Sequence, residues 1–310
     1  MPHFRTLNNQ TPIVIGHRGA SGYFPEHTAR AYRAAIEMGA HAIEPDLVVT
    51  ADGHLVVRHD RYLGKSTDIA DFPEFKSRRV VKPGLAEADW YIEDFTLAEI
   101  RTLKARQPFP GRSRAYDRRY PILTFDELLE IMREGEAKRG ESIGFHPEVK
   151  HPDYFLSIGL DIIPPLLKSL GDYGYEASHG DGRSLFIQSF DLDFHRRIKP
   201  LTDISLTQLL EDHGGVPHVA LETAAEFAAA IGPQKSLLMN AARQSTGMIE
   251  RAHALNLLVH PWTFRDDAVG PGFGDVREEL NAYLMLGVDG VFADFPDTAL
   301  DVVGRHISMA

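Results

Sequence analysis

Apolar residues along this chain fall into short β-branched runs separated by stripes at helical spacing, a pattern that predicts parallel strands alternating with helices. Ile13, Val14 and Ile15 form the first run, which stops at Gly16. Ala31, Ala34, Ala35 and Met38 follow at three- and four-residue spacing, predicting a helix over Thr28–Met38 that Gly39 ends. Strand character returns from Ala42 to Val49 and again in the run LVVRHD. The stretch from Arg61 to Arg119 differs: it is rich in Pro, Gly and charge, with only short apolar runs, and reads as an insertion that returns near its starting point. From Pro121 the alternation resumes. It predicts a helix over Phe125–Glu134, a strand over Ile143–Lys150, and a helix over Ile158–Gly171 interrupted near Pro164 and Pro165. A Gly-rich loop, a strand over Leu185–Gln188, a short helix from Asp191 and a strand over Ile204–Leu210 come next. The remainder reads as helix Glu222–Ile231, strand Ser236–Asn240, helix Gly247–Leu255, strand Leu257–Trp262, helix Val276–Leu286, strand Val288–Ala293 and helix Thr298–Arg305. About eight strands alternating with helices is the count of a (β/α)8 TIM barrel. The expected fold is therefore α/β, a single barrel domain over 1–310 with 61–119 inserted after the second strand.

Composition narrows the partners. With 310 residues, 43% of them hydrophobic, the chain is long enough to bury a large core. A formal net charge of -11 without an offsetting Lys/Arg block argues against nucleic acid or an anionic membrane surface. An anionic substrate then needs a local positive site. The absence of cysteine excludes disulfides and thiol catalysis. No stretch approaches a membrane span, and the first residues lack the apolar core of a signal peptide, so a cytoplasmic location is expected, or a periplasmic or secreted one if a leader has been removed. Nothing in the pattern specifies an oligomeric state.

The ionisable residues gather where predicted strands end, which in such barrels is where active sites lie. His17 and Arg18 follow the first strand at once. Glu44 and Asp46 sit two residues apart in the second, so they share a face. Adjacent carboxylates repel and lose hydration, and a cation between them relieves both costs. Such a pair taken alone also fits a solvated strand face. Glu148 and Lys150 repeat the spacing and by themselves fit a salt bridge, although Glu148 would add a third hard oxygen ligand, which suits Ca²⁺ or Mg²⁺ better than Zn²⁺. His17 and His59 are candidates for proton transfer, because imidazole titrates near neutral pH.

Together, His17-Arg18-Gly19-Ala20, Pro25-Glu26-His27-Thr28, Glu44-x-Asp46 and His59-Asp60 resemble the signature of the glycerophosphodiester phosphodiesterase family, and the likeness continues through HPEVKHP, IQSFD, HPWTFR and FADFPD. The wording PEHT resembles the bacterial periplasmic, calcium-using branch. The resemblance implies a metal-dependent hydrolase that converts glycerophosphodiesters, such as glycerophosphocholine or glycerophosphoethanolamine, to sn-glycerol 3-phosphate and an alcohol. It implies Glu44, Asp46 and Glu148 as metal ligands, with Ca²⁺ ahead of Mg²⁺. It also implies His17 and His59 as acid and base, acting through attack by the glycerol 2-hydroxyl and a cyclic phosphate that water opens. Arg18 and Lys150 would neutralise the phosphate. Gln188 and Trp262 match substrate-contacting positions, though Trp262 equally fits ordinary packing. Glu26 fits either a partner that orients Arg18 or a carboxylate at a helix N-terminus, and His27 either a polar contact or a helix cap. In the resembled family an insertion placed like 61–119 covers the active site; a neutral surface excursion is the alternative.

Two rival functions remain open at this level. A phospholipase D-like or cyclising lyase acting on lysophospholipids would want an apolar entrance, and the charged 61–119 stretch offers none. A non-catalytic phosphodiester-binding protein would keep the barrel, but a decayed site would have dropped one of the two histidines, three carboxylates, Arg18 or Lys150.

Overall fold

The computed structural model describes residues 4–82, 86–175 and 184–308. In β1 (Ile13–His17) the side chains alternate: Val14 joins the helix-side core, while Ile13 and Ile15 join Phe292 and Trp262 on the other face. His17 continues the second row. Helix α1 (Ala29–Met38) starts at Thr28, whose hydroxyl accepts the Ala31 N–H, and ends at Gly39 with φ of 95°.

The second barrel stave is split. It comprises β2 (Ala42–Glu44) and β3 (Asp46–Val49), with Pro45 between them. Proline has no N–H for a ladder, so the continuous strand expected over 42–49 breaks there and its two halves join different neighbours. β2 pairs with β1, whereas β3 pairs antiparallel with β4 (Leu55–Val57), which turns the chain back on itself. Between β4 and residue 120, the regular structure among the described residues is short 3₁₀ segments and α2 (Leu97–Ile100), and none belongs to either sheet. Helix α3 (Phe125–Arg139) opens with a reciprocal Thr124/Glu127 capping box.

The third stave repeats the device: β5 (Gly144–Phe145) and β6 (Glu148–Val149) flank His146-Pro147, so the expected strand over 143–150 is also two pieces. Helix α4 (Pro152–Ser157) was not anticipated. Helix α5 (Ile163–Asp172) begins rather than breaks at Pro164 and Pro165, since a first helical turn has no use for those N–H groups. The Gly-rich loop expected next lies mostly within 176–183, outside the described residues.

The remaining elements are β7 (Phe186–Ser189), α6 (Leu192–Ile198), β8 (Ser205–Leu210), α7 (Leu221–Ala224), β9 (Ala230–Pro233), α8 (Met248–Ala254), β10 (Leu258–Val259), α9 (Val276–Leu286), β11 (Gly290–Ala293) and α10 (Pro296–Ser308). Here two expectations fail. The helix expected over 222–231 stops at Ala224, and the strand expected over 236–240 is a 3₁₀ turn at Lys235–Leu237. The Ala-rich run reads as helix, but Ala230 and Ile231 pair with Thr207 and Gln208 of β8 and with Leu258 and Val259 of β10, and that pairing overrides local propensity.

One sheet runs β11-β1-β2-β5 and the other β10-β9-β8-β7-β6-β3-β4. Parallel bridges Phe145 to Leu185 and Phe264 to Ala293 link them. The circuit is therefore β1, β2 with β3, β5 with β6, β7, β8, β9, β10 and β11, a closed (β/α)8 barrel. Two large apolar clusters support it, one including Ile43, Phe125, Phe145 and Ile187, the other Val14, Ile231, Leu280 and Val291. No helix among the described residues is long and apolar enough to cross a membrane.

Candidate active site

Parallel register sets polar side chains at one level of the barrel mouth. His17 lies opposite Glu44, Asp46 opposite Glu148, and Glu148 opposite Gln188. Despite the break at Pro45, Glu44 and Asp46 converge with Glu148, and one oxygen of each lies within 4.8 Å of the others. Glu44 and Asp46 are each 1% exposed. Burial, with the charges of Asp46 and Glu148, holds the Glu44 carboxyl well above the usual carboxylate range. Burial also pushes Glu148 up to about 8, with Lys150 opposing the shift and Asp46 adding to it. For Asp46 burial acts in the same sense, but His59, Lys150 and Arg18 outweigh it and hold the group well below its ordinary value.

Three buried carboxyls can ionise together only if further positive charge joins them. Glu44 Oε1 and Asp46 Oδ1 are buried without a hydrogen-bond partner, and an all-oxygen donor set suits a hard divalent cation. The residues present therefore fit such an ion.

Positive side chains surround the cluster. Arg18 donates through Nη1 to Glu26 at 2.7 Å, and its Nε lies 3.2 Å from Asp46. Glu26 therefore orients Arg18, and it does not serve as a helix-terminal carboxylate. Although burial opposes the charge, Glu26, Asp46 and Glu44 push the Arg18 guanidinium above its ordinary pKa. Its backbone N–H donates to Glu44 Oε2 at 2.8 Å. Arg18 and His27 both adopt left-handed backbone, φ 56° and 61°, uncommon for residues with a side chain and concentrated at functional sites. Gly19 makes the intervening turn at φ 80°, where a Cβ would stand 2.6 Å from the Ala31 carbonyl carbon. Lys150 donates to Glu148 at 2.6 Å and lies 3.9 Å from Asp46.

Each candidate histidine has one ring nitrogen fixed by a carboxylate. His17 Nδ1 bonds Asp294 at 2.6 Å, and His59 Nδ1 bonds Asp60 at 2.7 Å. Both rings line a cavity of about 590 Å³, and the arrangement commits Nδ1 and leaves Nε2 for exchange of a proton. Burial, helped by Arg18, lowers His59 to about 4. His59 arrives here because β4 runs back along β3, with the Arg58 N–H donating to the Asp46 carbonyl.

Gln188 and Trp262 line the same cavity. Gln188 donates to the His146 carbonyl at 3.0 Å while its Oε1 has no partner. Trp262 both packs and faces the cavity: its Nε1 donates to the Gly232 carbonyl at 2.7 Å, and its ring meets Phe190 edge-on. Phe190, Leu209, Met239, Pro271 and Phe273 add apolar surface to the same cavity.

Two contributors, Asp294 and Asp60, have no role in the sequence reading, and for His27 that reading leaves two. Asp294 follows the last strand inside the motif FADFPD, at the strand end where a site is expected, and orients His17. Asp60 adjoins His59 in the sequence and fixes its ring. His27 is a buried contact and not a helix cap, since Thr28 is the cap: its Nε2 bonds Asp46 at 2.9 Å and its Nδ1 bonds the Tyr32 hydroxyl at 2.7 Å.

This arrangement can be set beside known proteins. The model of the glycerophosphoryl diester phosphodiesterase family matches residues 17–298. The chain is similar to glycerophosphodiester phosphodiesterase GDPD6 of Arabidopsis thaliana, 32% identical over 94% of this chain and 86% of that protein. It is similar to a glycerophosphodiester phosphodiesterase of Haemophilus influenzae, 31% identical over 93% of this chain and 89% of that protein. Among solved structures it resembles an Oleispira antarctica phosphodiesterase in complex with the product sn-glycerol-3-phosphate, with a TM-score of 0.68, 20% identity, and 96% and 99% of the two chains covered.

Proposed function

The chain belongs to the glycerophosphoryl diester phosphodiesterase family and is a phosphodiester hydrolase, and from that premise we propose that it cleaves glycerophosphodiesters such as glycerophosphocholine and glycerophosphoethanolamine to sn-glycerol 3-phosphate and an alcohol. The observation that carries this reading is the convergence of Glu44, Asp46 and Glu148 between two histidines whose Nδ1 atoms are held by carboxylates.

In the proposed reaction Arg18 and Lys150 bind the phosphate, the first as a fork and the second as a point charge. One histidine takes the proton of the glycerol 2-hydroxyl as that oxygen attacks phosphorus. The other gives a proton to the departing alkoxide as the phosphorus–oxygen bond breaks. A five-membered cyclic phosphate results, and water opens it with the two histidines in exchanged roles. Glu44, Asp46 and Glu148 would hold a divalent cation, Ca²⁺ ahead of Mg²⁺, which would supply positive charge against the phosphate oxygens. Gln188 and Trp262 contact the substrate.

The segment 61–119 acts in this reading as a cap on one barrel domain, supported by Phe109 in the cavity wall. The apolar wall around Trp262 favours a second reading, phospholipase D-like action on lysophospholipids, whose acyl chain it could receive. Incubation with glycerophosphocholine, glycerophosphoethanolamine and lysophosphatidylcholine, with sn-glycerol 3-phosphate measured by a coupled assay and choline measured separately, separates the two. Release of glycerol 3-phosphate from the first two substrates supports the first reading. Choline release from the lysolipid alone transfers the assignment to the second.

A further inference from the structure

Segment 61–119 reaches the reaction centre through one buried side chain. Gly111, at φ 84°, makes the turn that precedes Arg112, and the Arg112 side chain is 2% exposed, as is that of Asp294. All three of its nitrogens are engaged. Nη2 donates to Asp294 Oδ2 at 2.5 Å and to Asp267 at 3.1 Å, Nε donates to Asp267 at 2.8 Å, and Nη1 donates to the Ser21 carbonyl at 3.1 Å. Phe109 lies under the guanidinium, 4.2 Å from its ring centre. The other oxygen of Asp294 holds His17 Nδ1 at 2.6 Å. Arg265 is a more distant cation, 3.6 Å from Asp294.

Arg112 does not line the cavity, so whatever it does for the reaction passes through Asp294. A buried carboxylate that bonds an imidazole through one oxygen needs a partner for the other. Left without one, it is free to rotate or to take up a proton, and the ring nitrogen loses its fixed acceptor. The acceptor at Nδ1 sets which imidazole nitrogen carries the proton and where the second points.

We propose that Arg112 is a positioning residue for His17, fixing the ring through Asp294, so that the inserted segment takes part in catalysis as well as covering the mouth. This rests on the reading of His17 as a proton-transfer group. A purely mechanical role, holding the segment against the first loop, is the competing account, and Gln107 separates the two. Its Nε2 donates to the Ser21 and Phe24 carbonyls at 3.2 Å each, tying segment to loop with no contact to Asp294.

The test is steady-state hydrolysis of glycerophosphocholine by Arg112→Ala, Arg112→Lys, Gln107→Ala, His17→Ala and the double variant Arg112→Ala with His17→Ala, with thermal midpoints recorded for each. Loss of a partner that orients a functional ligand costs about 10–100-fold. Arg112→Ala is expected to lower kcat by about that factor with KM near wild type. Arg112→Lys, which keeps the charge and one donor, should fall between, and Gln107→Ala should lose thermal stability while retaining kcat. In the His17→Ala background the Arg112 substitution should cost no further activity. Equal loss of kcat in Arg112→Ala and Gln107→Ala, or full additivity with His17→Ala, would overturn the proposal. Undiminished kcat in His17→Ala would instead overturn the reading of His17 beneath it.

Discussion

The first four and the last four staves of the barrel face one cavity with different side chains. From β1 through β7 come His17, Arg18, Glu44, Glu148, Lys150 and Gln188, with His59 brought alongside by the β3–β4 hairpin. From β8 through β11 and their loops come the apolar side chains Leu209, Met239, Trp262, Pro271, Phe273 and Phe292, with the Lys235–Glu279 ion pair and Arg265 among them, and Asp294 crosses to the opposite group by holding His17. The charged half sacrifices ordinary packing. Around its carboxylate cluster it buries three converging carboxyls, leaves oxygens of two of them without partners, and places Arg18 and His27 in left-handed backbone. Such features are costly one by one, and in this fold they cluster where chemistry needs fixed charge. The other half has left-handed residues of its own at Arg243 and Asn256 and a buried carboxylate, Glu279, but Glu279 is paired with Lys235 at 2.5 Å, and among the described residues no second group of carboxyls converges there. Under the proposed function, turnover and substrate fit draw on different sides of one mouth and should respond separately to substitution.

The strongest way to break that division is to remove a proton-transfer group. His17→Ala is expected to lower kcat about 10²–10⁴-fold, the usual contribution of general acid–base catalysis, with the fold intact by circular dichroism. A fall in affinity with kcat preserved would place His17 among binding groups. Next in size is a stability effect confined to the charged half. Ca²⁺ or Mg²⁺ at about a hundred times its dissociation constant should stabilise the fold by about 2.7 kcal/mol, read as a rise in thermal midpoint. Asp46→Asn should abolish the rise, and a rise that survives it would locate the cation elsewhere.

A subtler change keeps charge and alters shape. Arg18→Lys loses the fork toward Glu26 and phosphate, and a drop in kcat/KM of about 10-fold is expected, consistent with a net loss of about 1.5 kcal/mol for a charged hydrogen bond. Equal activity would show that a point charge suffices. Smallest of all, Trp262→Ala should raise KM a few-fold, about 1 kcal/mol of lost apolar contact, with kcat nearly unchanged. A large fall in kcat at that position would erase the distinction between the two halves.

The charged half was also the more legible one in the sequence. A carboxylate or histidine inside or just after a β-branched run stands out against its neighbours, which is why His17, Glu44, Asp46 and Glu148 could be singled out and why the strand-end rule put them at one level. Pro45 and Pro147 split two of those strands without moving the side chains off the mouth, so the parity argument for Glu44 and Asp46 survived a break it did not foresee. The apolar half was read less well. The Ala-rich run before β9 has the periodicity of a helix, and only pairing with β8 and β10 reveals its strand. Packing residues such as Phe273 carry no local sign that they line a cavity. Contacts made across long separations were invisible for the same reason: Arg112 and Asp294 are 182 positions apart, and no local pattern encodes their ion pair.

If the carboxylate cluster of the charged half holds a divalent cation, turnover should depend on that ion. The most direct measurement is release of sn-glycerol 3-phosphate from glycerophosphocholine after EDTA treatment and again after restoring Ca²⁺ or Mg²⁺, for the wild type and for Glu44→Ala. Activity should be lost with EDTA, regained with one of the two ions, and absent from the variant under every condition. Full activity in EDTA, or a Glu44→Ala protein as active as the wild type, would contradict it.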